Sequence, residues 1–256
     1  MEKIKGRENI ILGIHPVIEA LRAKSRSFEQ IFIQKGKKES SLREMIQLAK
    51  EQNIRVTYAS RDILDQISGP LKHHGVLGVG AIKRYDTIDT LLELSGKTGE
   101  PPFFFILDEI EDPRNLGAII RTAEGAGVHG VILPTRRSAG ITETVAKTSA
   151  GAIEYVHIVQ VVNIVQTLTF LKTKGIWIYG LDGEATASYT QMDYASPVAF
   201  VLGGEGKGLR HLVKETCDQT ISIPMKGKIG SLNVSTAAGI VAYETVRQRS
   251  RNPKQA

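Results

Sequence analysis

The chain has a single cysteine, Cys217, among 256 residues. It can form neither an intrachain disulfide nor a multi-cysteine metal centre, and Cys217 reads as a small buried residue. The six histidines stand at positions 15, 73, 74, 129, 157 and 211. None shows metal-ligand spacing, so no metal is expected. No apolar run approaches the roughly 18 residues of a membrane span. The opening MEKIKGRENI is charged and lacks the apolar core of a signal peptide, so a soluble cytoplasmic protein is expected. There is no internal repeat and no low-complexity tract. The composition, 41% hydrophobic and 23% charged, excludes disorder, collagen and coiled coil.

What is present is unevenly placed. The net charge is +6 over the whole chain. Residues 1–85 hold 16 Lys+Arg against 9 Asp+Glu, which is +7, and residues 86–256 hold 17 against 18, which is −1. A basic module joined to a near-neutral one points to a polyanion such as nucleic acid. A basic, merely solvated surface is the competing reading of the same charge.

The hydrophobic pattern divides the chain in the same place. In residues 1–85 a helix through Pro16–Ala23, a strand Phe28–Gln34, a helix capped at Ser40 or Ser41 and running to Lys50, a strand Arg55–Tyr58, a helix capped by Ser60 and a strand Gly75–Ile82 make a small α/β module. Residues 86–102 read as a linker region, with a short helix at Thr87–Leu94 followed by the turn-forming SGKTGEPP. From residue 103 to 256 the apolar strands FFFIL, GVIL, YVHIV, IWIYG, VAFVL and TISI alternate with helical patterns. Continuous apolar strands between helices imply a mainly parallel sheet covered on both faces. Ligands bind such sheets at the loops leaving the strands' carboxyl ends.

Three of those loops carry polar or glycine-rich clusters. In LDEIEDPRNLGAIIR, Asn115 reads as a helix cap, and Arg121 shares a face with Glu124 and can pair with it. In FVLGGEGKGLR, a strand runs into Gly203, Gly204, Gly206 and Gly208, which let backbone approach a ligand closely. The spacing is not that of a dinucleotide fingerprint, and Gly208 stands where a phosphate-gripping loop needs Ser or Thr after Lys207. In ISIPMKGKIGSLNVS, Ser231, Leu232, Asn233 and Ser235 open a long helix, more polar groups than one cap requires.

Taken together and in order, N115-L-G-A-I-I-R121, L202-G-G-E205-G-x-G-L209 and I223-P-M…S231-L-N-V-S235 resemble the SpoU (TrmH-like) group of the SPOUT superfamily. Its members are S-adenosylmethionine-dependent RNA ribose 2′-O-methyltransferases. Residues 1–85, with NIILGIHPVIEAL and HHGVLGVGAI, resemble the L30e-like RNA-binding domain of family members. The whole arrangement is similar to bacterial enzymes that modify a guanosine of 23S ribosomal RNA. The resemblance implies a trefoil-knotted methyltransferase domain over 103–256, a homodimer whose active site uses both subunits, and S-adenosylmethionine as cofactor. It places cofactor binding on Gly203, Ile223 and Leu232, and catalysis on Asn115, Arg121, Glu205, Ser231 and Asn233. A tRNA 2′-O-methyltransferase and a non-catalytic RNA-binding ribosome-assembly factor are the alternative functions. A nucleotide-dependent α/β hydrolase or kinase lacks its phosphate-gripping motif.

Overall fold

The computed structural model describes residues 10–38, 40, 42–80, 83–204, 206 and 208–250. The order begins β1 (Ile10–Leu12), α1 (Ile14–Ala23), β2 (Phe28–Gln34), α2 (Arg43–Glu51), β3 (Arg55–Ala59), α3 (Arg61–Ser68), β4 (Val76–Gly80). It continues α4 (Ile88–Thr98), β5 (Phe103–Asp108), α5 (Pro113–Gly125), β6 (Gly130–Pro134), α6 (Glu143–Thr148), β7 (Ile158–Val161), α7 (Ile164–Thr173). It ends β8 (Trp177–Leu181), β9 (Val198–Gly203), α8 (His211–Thr216), β10 (Gln219–Ile221), α9 (Val234–Ser250). Among these residues no helix is long and apolar enough to cross a membrane.

The elements form two units, residues up to 84 together with 141–155, and residues 85–140 together with 156–256. In the first unit a four-stranded sheet has the order β1-β4-β2-β3. β2 and β3 run parallel, and β4 is antiparallel to β1 and β2. In β2, Ile31 and Ile33 alternate inward, and a register shift between Phe28 and Gln30 brings Phe28 to the same side; the three join Val17, Leu21, Leu42 and Met45 from α1 and α2 in one core. The sequence reading passed over β1, whose three residues are all buried, because a strand so short shows no period. α2 starts at Arg43, with buried Leu42 rather than a serine hydroxyl at its boundary. Ser41, Ala81 and Ile82 lie outside the described residues.

Residues 141–155 stand in the second segment by sequence, yet they complete the first unit. α6 packs on β1, and Lys83 Nζ donates to the Ile153 carbonyl. Glu154 is buried and takes Ser25 Oγ and, at 2.9 Å, Arg26 Nε. Arg26 Nη2 lies 2.8 Å from the other Glu154 oxygen, completing a buried ion pair.

In the second unit every paired strand is parallel, in the order β10-β8-β9-β5-β6-β7. One face buries Phe104, Ile106, Ile132 and Val201 against α4, α7 and α8 through Leu91, Leu168 and Val213. On the other face Phe103, Phe105 and Phe200 meet edge to face at 5.7–6.4 Å. α4 runs on through Thr98, past the expected turn: the Ser95 hydroxyl donates to the Leu92 carbonyl, and Gly99 at φ 71° ends the helix. Half-buried Cys217 packs on the first of these faces, and burial pushes its thiol up to about 12, so it stays protonated.

Arg249, near the end of α9, closes the second face. Its guanidinium lies 5.2 Å from the Phe103 ring centre and donates to the carbonyls of Tyr194, Pro101, Pro102 and Ser196 at 2.7–3.2 Å. Only a planar fork with five donors can reach four carbonyls at once. Arg249→Lys is therefore expected to lower the unfolding free energy by about 1–3 kcal/mol, read as a lower urea midpoint at unchanged slope.

Candidate active site

The registers of the parallel sheet set four strand ends in a row. Asp108 pairs with Gly203, Gly180 with Val201, and Ile221 with Leu181. Asp108 closes an otherwise apolar strand and is fully buried. A carboxylate there costs several kcal/mol unless it is paired and hydrogen-bonded. Arg210 supplies everything it needs: its backbone N–H donates to Oδ2 at 3.0 Å, its Nε to Oδ1 at 2.7 Å, and Nη2 lies 2.6 Å from Oδ1.

That clamp bends the chain after β9 back onto the end of β5. Gly204 and Gly208 then bridge, with Gly208 N–H donating to the Gly204 carbonyl at 3.1 Å. A Cβ on Gly203 would lie 2.3–2.6 Å from the backbone of Gly208 and Leu209, and one on Gly204 would lie 2.6 Å from the Glu109 carbonyl oxygen. Close backbone packing is what the glycines are for. Glu205, expected to be catalytic, lies outside the described residues, as does Lys207.

The third loop leads from β10 to α9. Asn233 caps α9: its Oδ1 accepts the Ser235 N–H at 2.9 Å and the Ser235 hydroxyl at 2.5 Å. Its Nδ2 donates to Asn115 Oδ1 at 3.0 Å, joining the first and third loops. Asn115 is not the cap of α5, contrary to expectation. Asp112 is, accepting the Arg114 N–H at 2.7 Å, with Pro113 in the first turn. Proline has no N–H to satisfy, so the helix starts there at no cost. α5 and α9 run side by side, from Asn115–Asn233 to the Tyr243 hydroxyl on the Gly125 carbonyl at 3.4 Å.

A cavity of about 230 Å³ opens where the second and third loops face the strand ends. Gly203, Ile223, Ser231 and Leu232, all expected in the site, line it together with Ile221 and Asp182. Its walls are mostly apolar side chains and glycine backbone, and Asp182 is the one charged lining residue among those described. Burial works to raise the Asp182 carboxyl, but the Lys214 ammonium and the Glu184 amide overcome it and hold the group below the usual carboxylate range. Sequence reasoning missed Asp108, Arg210 and Asp182. The signal available was an acidic residue at the carboxyl end of an apolar strand, in FFFILD and WIYGLD.

Arg121 stands apart. It lies six residues beyond Asn115, about 9 Å along α5 and turned about 120° from it. It is exposed, lines no part of the cavity, and makes no hydrogen bond or ion pair among the described residues. The expected Arg121–Glu124 pair is not formed. No group of metal-binding side chains occurs among the described residues.

Residues 102–243, which span all three loops, match the SpoU rRNA Methylase family. The chain belongs to that family. Residues 10–86 match the model described as RNA 2′-O ribose methyltransferase substrate binding. Curated relatives of this SpoU methylase include two 23S rRNA (guanosine-2′-O-)-methyltransferases. The one from Neisseria meningitidis serogroup B is 42% identical over 93% of this chain and 95% of its own. The one from Escherichia coli K12 is 40% identical over 94% of this chain and 99% of its own. Among solved structures, the SpoU methyltransferase AviRb from Streptomyces viridochromogenes, in complex with AdoMet, superimposes with a TM-score of 0.78. It covers 94% of this chain and 90% of that one at 22% identity, a likeness of fold.

The tightest point of the SpoU site is Gly203, where an added Cβ meets backbone that cannot rotate away. Gly203→Ala is expected to displace the returning loop and weaken binding of S-adenosylhomocysteine at least tenfold, by calorimetry, while far-ultraviolet circular dichroism stays that of the wild type.

Proposed function

We propose that this SpoU methylase transfers a methyl group from S-adenosylmethionine to the ribose 2′-hydroxyl of a guanosine in 23S ribosomal RNA. The observation that carries this reading is the cavity itself: Gly203 from the second loop and Ile223, Ser231 and Leu232 from the third, up to 29 residues apart in sequence, meet on one lining. The 23S rRNA (guanosine-2′-O-)-methyltransferase activity of the relatives from Neisseria meningitidis and Escherichia coli agrees with it.

The residues present fit the cofactor. Glycine backbone at Gly203 and Gly204 presents amides and carbonyls without side-chain obstruction, and Ile221, Ile223 and Leu232 offer apolar walls for a flat heterocycle. S-adenosylmethionine bound there supplies an electrophilic methyl group on a sulfonium.

The chain's own part is positioning and charge. An in-line displacement needs the ribose oxygen held on the line of attack, which supplies much of the acceleration. Ser231 and the linked amides of Asn115 and Asn233 orient the hydroxyl in this reading. Arg121 has a permanently charged guanidinium and stabilises negative charge developing on the 2′-oxygen. Its distance from the cavity along α5 favours a homodimer in which a second copy's α5 brings its arginine to the site. The family resemblance assigns Glu205 a part in catalysis as well. The trefoil knot of the SPOUT fold and a cytoplasmic location belong to the same reading. The first unit, with the positive charge of residues 1–85, binds the RNA.

Incubation with methyl-labelled cofactor and total bacterial RNA tests the assignment. Label is expected in a 2′-O-methylguanosine of 23S RNA with the wild type. With Arg121→Ala, label should fall at least 100-fold while cofactor binding stays within about twofold. Undiminished methylation by that variant removes Arg121 from the mechanism, and label confined to tRNA overturns the substrate.

RNA binding by the first unit has a separate signature. Each lost phosphate contact should flatten the plot of log affinity against log salt by about 0.7 for single-stranded RNA. Replacing the exposed Lys35, Arg43 and Lys72 with glutamine is expected to lower that slope by roughly two such steps. An unchanged slope would place the RNA elsewhere.

A further inference from the structure

Asp182 has no part in the chemistry described above, yet it is the one charged lining residue of the cavity among those described. It follows Leu181, the last residue of β8, the strand that lies between β10 and β9. It thus stands at the middle of the three strand ends that the cavity faces. One of its oxygens, Oδ1, accepts the Glu184 N–H at 3.0 Å, and the other takes the Lys214 ammonium. Each carboxylate oxygen has two acceptor positions, so each keeps one for a ligand.

The Lys214 partner decides which kind of ligand. An acidic group already neutralised by an ammonium attracts a further cation only weakly, because attraction to one is offset by repulsion from the other. Neutral hydroxyl donors suffer no such offset, and their bonds to an ionised acceptor are among the stronger ones. Two adjacent acceptors beside apolar walls suit a pair of neighbouring hydroxyls on a ring. Carboxylates at strand ends serve nucleotide riboses in this way in other α/β folds.

We propose that Asp182 binds the ribose hydroxyls of the cofactor's adenosyl group and so selects a ribonucleoside over its deoxy forms. The proposal rests on the cavity being the S-adenosylmethionine site. It assigns Asp182 to cofactor recognition, and Lys214 and Glu184 to holding the carboxylate in place.

Calorimetry on the full wild-type chain with S-adenosylhomocysteine and with its 2′-deoxy and 3′-deoxy analogues reads this contact without any substitution. At least one deoxy analogue is expected to bind about tenfold or more weakly, the effect of one hydrogen bond to a charged acceptor. In Asp182→Ala the parent compound should weaken by a similar factor, and the three ligands should become equal. Equal binding of all three by the wild type, or a preference that persists in Asp182→Ala, overturns the assignment and leaves the methyltransferase reading intact. No heat with either S-adenosylmethionine or S-adenosylhomocysteine overturns that reading and this assignment together. Should Asp182→Ala fail to fold, the wild-type comparison decides alone.

Discussion

A fully buried carboxylate, Asp108, governs the shape of this site. Cut off from water, it must find charged donors inside the protein. Arg210 provides them across 102 residues of sequence, with its backbone as well as its side chain. Satisfying Asp108 therefore fixes a stretch of main chain as well as one side chain. The loop after β9 has to turn back over the strand ends, and it can do so only where glycine lets backbone touch backbone, at Gly203 and Gly204. The floor of the cavity is a consequence of that electrostatic demand. Losing either partner leaves a buried charge or an undirected loop, so geometry and stability are coupled at this point.

A second link joins the first and third loops through neutral groups. The Asn233 amide divides its work: its oxygen caps α9 and its nitrogen reaches Asn115. A helix cap has thereby become a bridge, and the ends of α5 and α9 are held in register. Polar residues that capping would explain singly are explained jointly by a network that positions two helix starts beside one cavity. The first unit follows a different logic. It buries an ion pair, Arg26 with Glu154, to hold residues 141–155 on its own sheet, while its exposed lysines and arginines give it the excess of positive charge.

Much of this was legible in advance where one element decides the matter. The run FFFIL is apolar at every position because both faces of a parallel strand are covered, and β5 buries all of them. The strand Phe28–Gln34 is legible from its aromatic and β-branched residues, with Ile31 and Ile33 in one core and Phe32 packed on the other face. Errors cluster where a neighbour overrides the local signal. SGKT looked like a turn, but Ser95 returns its hydroxyl to the backbone and the helix continues. Asn115 looked like a cap, but Asp112 with Pro113 captured that role three residues earlier. His73, which shows no metal-ligand spacing in the sequence, is buried, with one ring nitrogen accepting the Gly75 N–H and the other bonded to Asp65.

Residue order alone determined the parallel α/β character of the second unit, the placing of polar and glycine clusters after its strands, and the family to which those clusters belong. These follow from periodicity and from motifs, both properties of short windows. Only the tertiary structure decided that Ser231, Leu232, Ile223 and Gly203 share a lining with Asp182, that Arg121 stands off it, that Asp108 and Arg210 are partners, and that residues 141–155 complete the first unit. Those outcomes depend on which buried charge meets which donor across a hundred or more residues. That meeting is settled by packing and desolvation acting on the whole chain at once, and no local pattern encodes it.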